Sequence, residues 1–239
     1  MTMVIKTTND RFLDKYTELE TFLREKNSIK ANDMYSFNIM SDKDIKRDKA
    51  KWSFYRDIRN MLTHEANARK FITVTDEMFE MFSVDVYKIL HPLKVSDIAV
   101  SLSKIYKVTP NEPINTIIQT MLDKNYTCTP ITNENNVVIG IFSAHSLMLY
   151  FNEHKQEILE DTCNVKIRDF KHLCDLHSDQ DVVYKFVSRN TTVNEVKDMF
   201  KKNFEQNKRL EVVFVTDHGK NTEKLLALLT PWDLNKCPD

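Results

Sequence analysis

Within the stretch RNMLTH, Arg59, Asn60 and His64 set a permanent guanidinium, an amide and a titratable imidazole close together. These side chains suit chemistry at a phosphodiester. Arginine grips phosphate through its planar fork, and an imidazole with an unperturbed pKa near ~6.5 takes or gives a proton at neutral pH. The stretch reads as a ribonuclease half-site. On a helix turning about 100° per residue, Arg59 and His64 come out roughly 140° apart, whereas Arg56, Asn60 and His64 follow i, i+4 spacing. One such helix does not wrap a single phosphate, so a second copy or a neighbouring loop is expected to complete the site. Out of context, the same residues are a solvated, charged helix face.

The elements that must position this stretch are helical. Residues 9–29 carry Phe12, Tyr16, Leu19, Phe22 and Leu23 at helical spacing, with Asn9 or Asp10 as the N-cap. Residues 30–47 are mixed, with Tyr35, Phe37, Ile39 and Met40 among polar residues, and predict a loop or a short turn of helix. A second helix is expected from about Ser41 or Asp48 to Glu65, with Phe54, Ile58, Met61 and Leu62 inward. Arg56, Arg59, Asn60, Thr63 and His64 fill its opposite arc. A third helix covers 75–91, started by Thr75 and stopped by Pro92.

Composition narrows the chemistry. With 41% hydrophobic and 29% charged residues in 239, the chain has the make-up of a folded, soluble protein of one large or two small domains. A net charge of −1 excludes a generally basic nucleic-acid coat but not a local basic site. The chain has two glycines, Gly140 and Gly219, which rules out GxGxxG and P-loop phosphate cradles. The four cysteines, Cys128, Cys163, Cys174 and Cys237, show no CxxC spacing, so neither a zinc knuckle nor a disulfide framework is expected. The N-terminal residues lack an apolar signal core, and no run approaches ~18 apolar residues. A reducing cytoplasm and no membrane contact are the expectation.

Beyond Pro92 the texture changes. A leader with β-branched residues, KVSDIAVSLSKIYKVTP, precedes a helix with Ile114, Ile117, Ile118, Met121 and Leu122 inward. The strands CTPIT and VVIGIFS and the helix SAHSLMLYFNEHK follow. The same order returns as YKFVS, TTVNEVKDMFKKNFE, LEVVFVTD, LLALLT and PWDLNK, about 80 residues on, and NVKIRDFKH echoes the first leader.

This repeat resembles a tandem pair of CBS domains, a Bateman module, over roughly residues 93–239. In that family a Gly-apolar-apolar-Ser/Thr-x-x-Asp motif between the last strand and the closing helix holds the ribose of an adenine nucleotide. In the second copy, ALLTPWDL, Thr230 and Asp233 match, with Ala227 at the usual glycine. In the first copy, GIFSAHSL, Gly140 and Ser143 match but Ser146 replaces the Asp, which puts binding there in doubt. The resemblance implies base pockets lined around Val108–Thr109, Thr127–Cys128, Val187–Ser188 and Val212–Val213. His218, Lys208 and Arg209 are further phosphate contacts it suggests. AMP, ADP, ATP, a dinucleotide or S-adenosylmethionine all suit the motif. A CBS pair that dimerises and binds nothing is the alternative.

The helical part resembles the HEPN family, whose motif is Arg, four to six residues, then His, with Asn, Asp or His commonly following the Arg. RNMLTH fits with Asn60 in that place. The resemblance implies a metal-independent endoribonuclease working as a dimer, with His64 moving protons, Arg59 stabilising the transition state and Asn60 orienting either. The products would be 2′,3′-cyclic phosphate and 5′-hydroxyl ends. Arg56 adds phosphate affinity, or is a surface charge paired with Asp57 or Glu65.

The expected architecture is therefore two-part, an all-α HEPN-like bundle followed by an α+β CBS-domain pair. Its segments are residues 1–91, 92–158 and 159–239, with a joint near His91–Pro92. The expected function is an endoribonuclease acting on RNA, regulated by an adenine nucleotide and assembled as a homodimer through both parts. One alternative is a non-catalytic, nucleotide-sensing regulator whose helical domain serves dimerisation or docking. Another is a toxin-like enzyme silenced by an antitoxin-like protein partner.

Overall fold

The structure is a computed structural model describing residues 6–28, 38–64, 71–153, 165–176 and 182–235. Tyr35, Phe37, Glu65, His154, Cys163 and Cys237 lie outside the described residues. The chain divides into two units, Met1–Pro92 and Leu93–Asp239.

The first unit is helical: α1 (Thr8–Lys26), α2 (Lys43–Lys46), α3 (Lys49–His64) and α4 (Asp76–Leu90). The N-cap of helix α1 lies two residues before Asn9 and three before Asp10. Thr7 is the N-cap, forming a reciprocal capping box with Asp10. Asn9 instead clips the chain ahead of α4, donating to the Ile72 carbonyl at 2.9 Å and accepting from Val74 N–H at 2.8 Å. Thr75 caps α4 as expected, accepting from Met78 N–H.

The buried face of α3 is Trp52, Tyr55, Ile58 and Leu62, so the expected inward arc is rotated. Phe54 stands outside it at 51% exposure. Tyr55 wins the core position because it satisfies both of its ends. Its ring lies 4.8 Å from Phe82, while its hydroxyl donates to Asp85 at 2.9 Å. Phe12, Leu19, Leu23 and Val86 complete this core.

The second unit begins with α5 (Val95–Ile98) and β1 (Val100–Ser101). Then come α6 (Ile114–Lys124), β2 (Cys128–Thr132), β3 (Val138–Ser143) and α7 (Ala144–Glu153). After a 3-10 turn, Ile167–Phe170, follow α8 (Lys171–Cys174), β4 (Val182–Ser188) and α9 (Val193–Glu205). The described chain closes with β5 (Arg209–Thr216), β6 (Ala227–Leu229) and α10 (Pro231–Leu234). β2 and β3 form an antiparallel pair, and the other four strands a sheet in the order β1-β6-β5-β4. β4 and β5 run parallel in the second copy. In the first copy the matching strand shrinks to Val108, bridged in parallel to Ile131. Leu122, expected inward on α6, is 70% exposed.

The two leaders change places. Val95 N–H donates to Thr191 O and Val193 N–H to Leu93 O, so the first leader docks where α9 starts. Reciprocally, Ile114 N–H donates to Val165 O and Ile167 N–H to Glu112 O, so the second leader docks where α6 starts. The apolar side chains follow: Val95 joins the core of Val187, Val196 and Val213, and Ile167 and Phe170 join that of Ile117, Ile131 and Phe142. The echoed sequences fold alike, each leader closing a capping turn through its aspartate. Lys94 N–H donates to Asp97, and Lys166 N–H to Asp169. A division of this unit at 158/159 falls among residues outside the description, and in space each copy borrows the other's leader.

Candidate functional site

A candidate site is a cavity of about 540 Å³ in the second unit, within the ~300–1,000 Å³ range of small-molecule sites. The exchanged leader builds one wall with Val100, Lys104, Ile105 and Tyr106. Tyr126, Thr127 and Cys128, on the approach to β2, build the second. Val212 and Phe214 of β5, with Thr230, Trp232 and Asp233 at the start of α10, supply the third.

Thr230 and Asp233 are fixed by the helix they begin. One carboxylate oxygen of Asp233 accepts from Thr230 N–H at 2.9 Å and from Thr230 Oγ1 at 2.8 Å. Pro231 at the first helical position needs no acceptor. Asp233 is 5% exposed, so its charge is sheltered and its orientation set before any ligand arrives. The Tyr106 and Tyr126 rings stack at 6.1 Å with 25° between planes. Lys104 and Lys124 bring positive charge to the same cavity. Burial, and the nearby Glu211 carboxylate, push the Cys128 thiol up to about 12, so it serves as wall and not as nucleophile.

Of the residues expected in base pockets, Val108, Thr109, Val187, Ser188 and Val213 do not border this cavity, and neither does Ser143 of the first-copy motif. Thr109 turns to Glu112, which accepts from its backbone N–H and its hydroxyl. Ser188 donates to the Asp217 carbonyl. Val213 points into the opposite core, since alternate residues of β5 face opposite ways. Ser143 is buried against Ser146, their hydroxyls 3.2 Å apart. That first-copy motif is closed over by the second leader. Phe170 stacks on Tyr150 at 4.0 Å, and Gly140 lies so near the Cys174 carbonyl that an added Cβ would stand 2.6 Å from it. Of the suggested phosphate contacts, Arg209 pairs with Glu211 at 3.0 Å and His218 with Glu223 at 2.8 Å. Neither they nor Lys208 borders the cavity.

In the helical unit the wheel misplaces Arg59 and His64. Arg59 Nη1 lies 3.2 Å from His64 Nε2 and 3.2 Å from Asn60 Oδ1. The long arginine side chain folds along the helix and spans the angle between the two positions. A guanidinium only donates, so this contact is a hydrogen bond in the tautomer that leaves a lone pair on Nε2. Arg59 also lies 5.8 Å from the Tyr16 ring and 4.0 Å from Glu20 of α1. Burial foremost raises the Tyr16 pKa, so the phenol stays neutral beneath it. Arg56 takes the surface-charge course, paired with Asp57 at 3.2 Å and bonded to Ser53.

Sequence reading missed the cavity's aromatic and basic lining, Tyr106, Tyr126, Trp232, Lys104 and Lys124. Trp232 alone carried a signal, lying inside the ALLTPWDL motif. Tyr106 meets Tyr126 because its segment is bonded to β2, where Thr129 Oγ1 donates to the Tyr106 carbonyl, a contact across 23 residues that carries no local signal.

A family model described as CBS domain matches residues 95–153. This segment is a CBS domain, and the second half of the unit repeats its order of elements. No curated protein matches the chain. Solved structures similar to it include CBSX2 in complex with AMP, at 18% identity and TM-score 0.42 over 60% of this chain and 94% of that one. Another is CBSX2 from Arabidopsis thaliana, at 17% and 0.43 over 61% and 93%. A third is the CBS domain of a membrane protein from Sphaerobacter thermophilus, at 15% and 0.44 over 67% and 96%. None of the three reaches a TM-score of 0.5, and what this chain does has to be read from its own residues. Among the described residues no helix is long and apolar enough to cross a membrane.

Proposed function

We propose that the chain is an adenine-nucleotide-responsive, metal-independent endoribonuclease. Its second copy is a further CBS domain completing a pair, and its helical unit is of the HEPN type. One observation carries the nucleotide half: Thr230 and Asp233, prearranged by their capping turn, border a cavity that also offers tyrosine faces and lysine charges. A purine lies against Tyr106 or Tyr126. The ribose cis-diol donates to Asp233, and phosphate meets Lys104 or Lys124. AMP, ADP and ATP share these groups.

The ribonuclease half rests on Arg59 and His64 acting in one place. One imidazole accepts the ribose 2′-hydroxyl proton as the 2′-oxygen attacks phosphorus. The bond to the 5′-oxygen breaks, and a second imidazole, from the facing copy of a homodimer, returns a proton to that oxygen. Arg59 holds charge on the transition state. The products are a 2′,3′-cyclic phosphate and a 5′-hydroxyl. The working form is a homodimer in a reducing cytoplasm. The test is cleavage of single-stranded RNA by the full chain with and without AMP, ADP and ATP. Nucleotide-dependent cleavage that vanishes in His64→Ala is expected; cleavage surviving that substitution overturns the assignment.

A second reading, a non-catalytic nucleotide-sensing regulator, is favoured by the same contact seen from the other side. The Nε2 lone pair that a general base needs is occupied by Arg59, and Glu20 partly neutralises that arginine. Nucleotide binding with no RNA cleavage at any ligand concentration selects it.

A further inference from the structure

Helix α1 presents Tyr16, Glu20 and Arg24 at i, i+4 and i+8, one stripe alongside Arg59 of α3. The Glu20 carboxylate stands between two guanidiniums. One oxygen is 4.0 Å from Arg59 Nη2 and the other 3.9 Å from Arg24 Nη2. Both separations exceed hydrogen-bond length, where charge-assisted N–H···O bonds settle near ~2.7–2.9 Å. The Nε–H of Arg24 is buried and has no hydrogen-bond partner among the described residues. An arginine with an unused donor, facing a loosely held carboxylate that it shares with a second arginine, is an anion site occupied by a weak internal substitute.

We infer that Arg24 is a second phosphate-binding residue of the Arg59–His64 site. Glu20 is its displaceable counter-ion, standing where a backbone phosphate of single-stranded RNA binds. The inference rests on the RNA-directed reading of Arg59 and His64. A phosphate oxygen entering between the two forks gives the Arg24 Nε–H an acceptor. It also draws Arg59 off His64, which frees the Nε2 lone pair for the 2′-hydroxyl. Glu20 then keeps the imidazole occupied until substrate is present, which reconciles the occupied base with a catalytic role. Tyr16, neutral and buried beneath Arg59, forms the floor.

The test measures binding of a fluorescein-labelled 2′-O-methyl RNA, which cannot be cleaved through its 2′-oxygen, to the full chain by anisotropy across a potassium chloride series. Arg24→Gln is expected to weaken binding and to flatten the slope of log K against log salt by about 0.7, one phosphate contact on a single strand. Glu20→Gln is expected to tighten binding roughly two- to fivefold, the range of one weak, part-exposed ion pair removed. Should Arg24→Gln fail to fold by circular dichroism, Arg24→Lys carries the test, keeping the charge and losing the fork: weaker binding with an unchanged slope supports the inference. Wild-type affinity and slope in the Arg24 and Glu20 variants, alongside lost binding in Arg59→Ala, overturn it and leave the underlying reading standing. No binding by the wild type, or full binding by Arg59→Ala, overturns both.

Discussion

Asp233→Asn separates the structural role of the second-copy motif from its ligand role. In the free protein the substitution removes a buried charge that caps α10 through two hydrogen bonds, from Thr230 N–H at 2.9 Å and Thr230 Oγ1 at 2.8 Å. The asparagine oxygen still accepts, so the expected cost is that of a weakened cap, about 1–2 kcal/mol. For a unit of this size each kcal/mol moves the melting midpoint by ~2–4 °C, so the free variant should melt roughly 2–8 °C lower. AMP at about one hundred times its dissociation constant adds ~2.7 kcal/mol to the wild type, a further rise of roughly 5–10 °C. That increment should vanish in Asp233→Asn, since a neutral amide offers the cis-diol a single acceptor in place of a carboxylate's two. Trp232, which lines the cavity, reports the second unit by fluorescence, and Trp232→Phe isolates the signal of Trp52, buried in the first unit. A variant that melts lower yet keeps the full AMP increment refutes the reasoning, because the cap would then be structural only.

Gly140→Ala should destabilise the second unit by about 1–3 kcal/mol in urea unfolding, because the new methyl meets the Cys174 backbone carbonyl at 2.6 Å and one of the two must move. Tyr55→Phe should cost the first unit ~1 kcal/mol by removing the donor to Asp85, and Lys51, also bonded to Asp85, limits the loss. The turn after β5 should loosen in acid. Hydrogen bonds to Glu223, first from His218 N–H, hold its pKa near about 2, well below the ordinary 4.5. A depressed carboxylate stabilises the folded turn above the ordinary value and loses that contribution as pH falls through the window from 4.5 to about 2. Amide exchange at His218 and Lys220 should accelerate across that window, and Glu223→Gln should abolish the pH dependence.

Sequence legibility followed the range of the interactions. Helix α1 was readable because Phe12, Tyr16, Leu19 and Leu23 repeat at one local period, and the motif at Thr230 and Asp233 because its contacts span three residues. The rotation of α3 was not, since Trp52, Tyr55 and Phe54 are all large and apolar. The choice between them is made by Asp85 and Phe82 on another helix. Arg59 and His64 were set apart by a wheel that treats side chains as fixed spokes, whereas an arginine with several rotatable bonds reaches along its own helix. Glu20 and Arg24 carried no signal, because charged residues four apart on a helix are commonplace until a third charge arrives from α3. The strand predicted around Val108 is reduced to a single parallel bridge with Ile131 of β2.

The exchange of leaders decides what a ligand in the cavity can influence. The cavity bordered by Thr230 and Asp233 is shared with the first copy through Lys124, Tyr126, Thr127 and Cys128. The leader adds Val100, Lys104 and Tyr106, from the segment that follows Pro92 in the chain, opposite Val212 and Phe214 of β5. The proposed nucleotide would there bridge the first leader and the second copy, beside the backbone bonds from Val95 and Val193. Ligands shift a conformational equilibrium only by binding its states unequally, and the first leader, which follows Pro92 in the chain, is among the groups that border this cavity. A coupling of the usual ~1–3 kcal/mol needs only that the leader be better seated with nucleotide than without. In the first-copy motif Ser143 and Ser146 are buried and bonded to each other, and the cavity beside Gly140, about 290 Å³, carries no matching carboxylate from that motif. The proposed nucleotide regulation would therefore act through the second-copy site, which kept its aspartate and shares its cavity with the first leader.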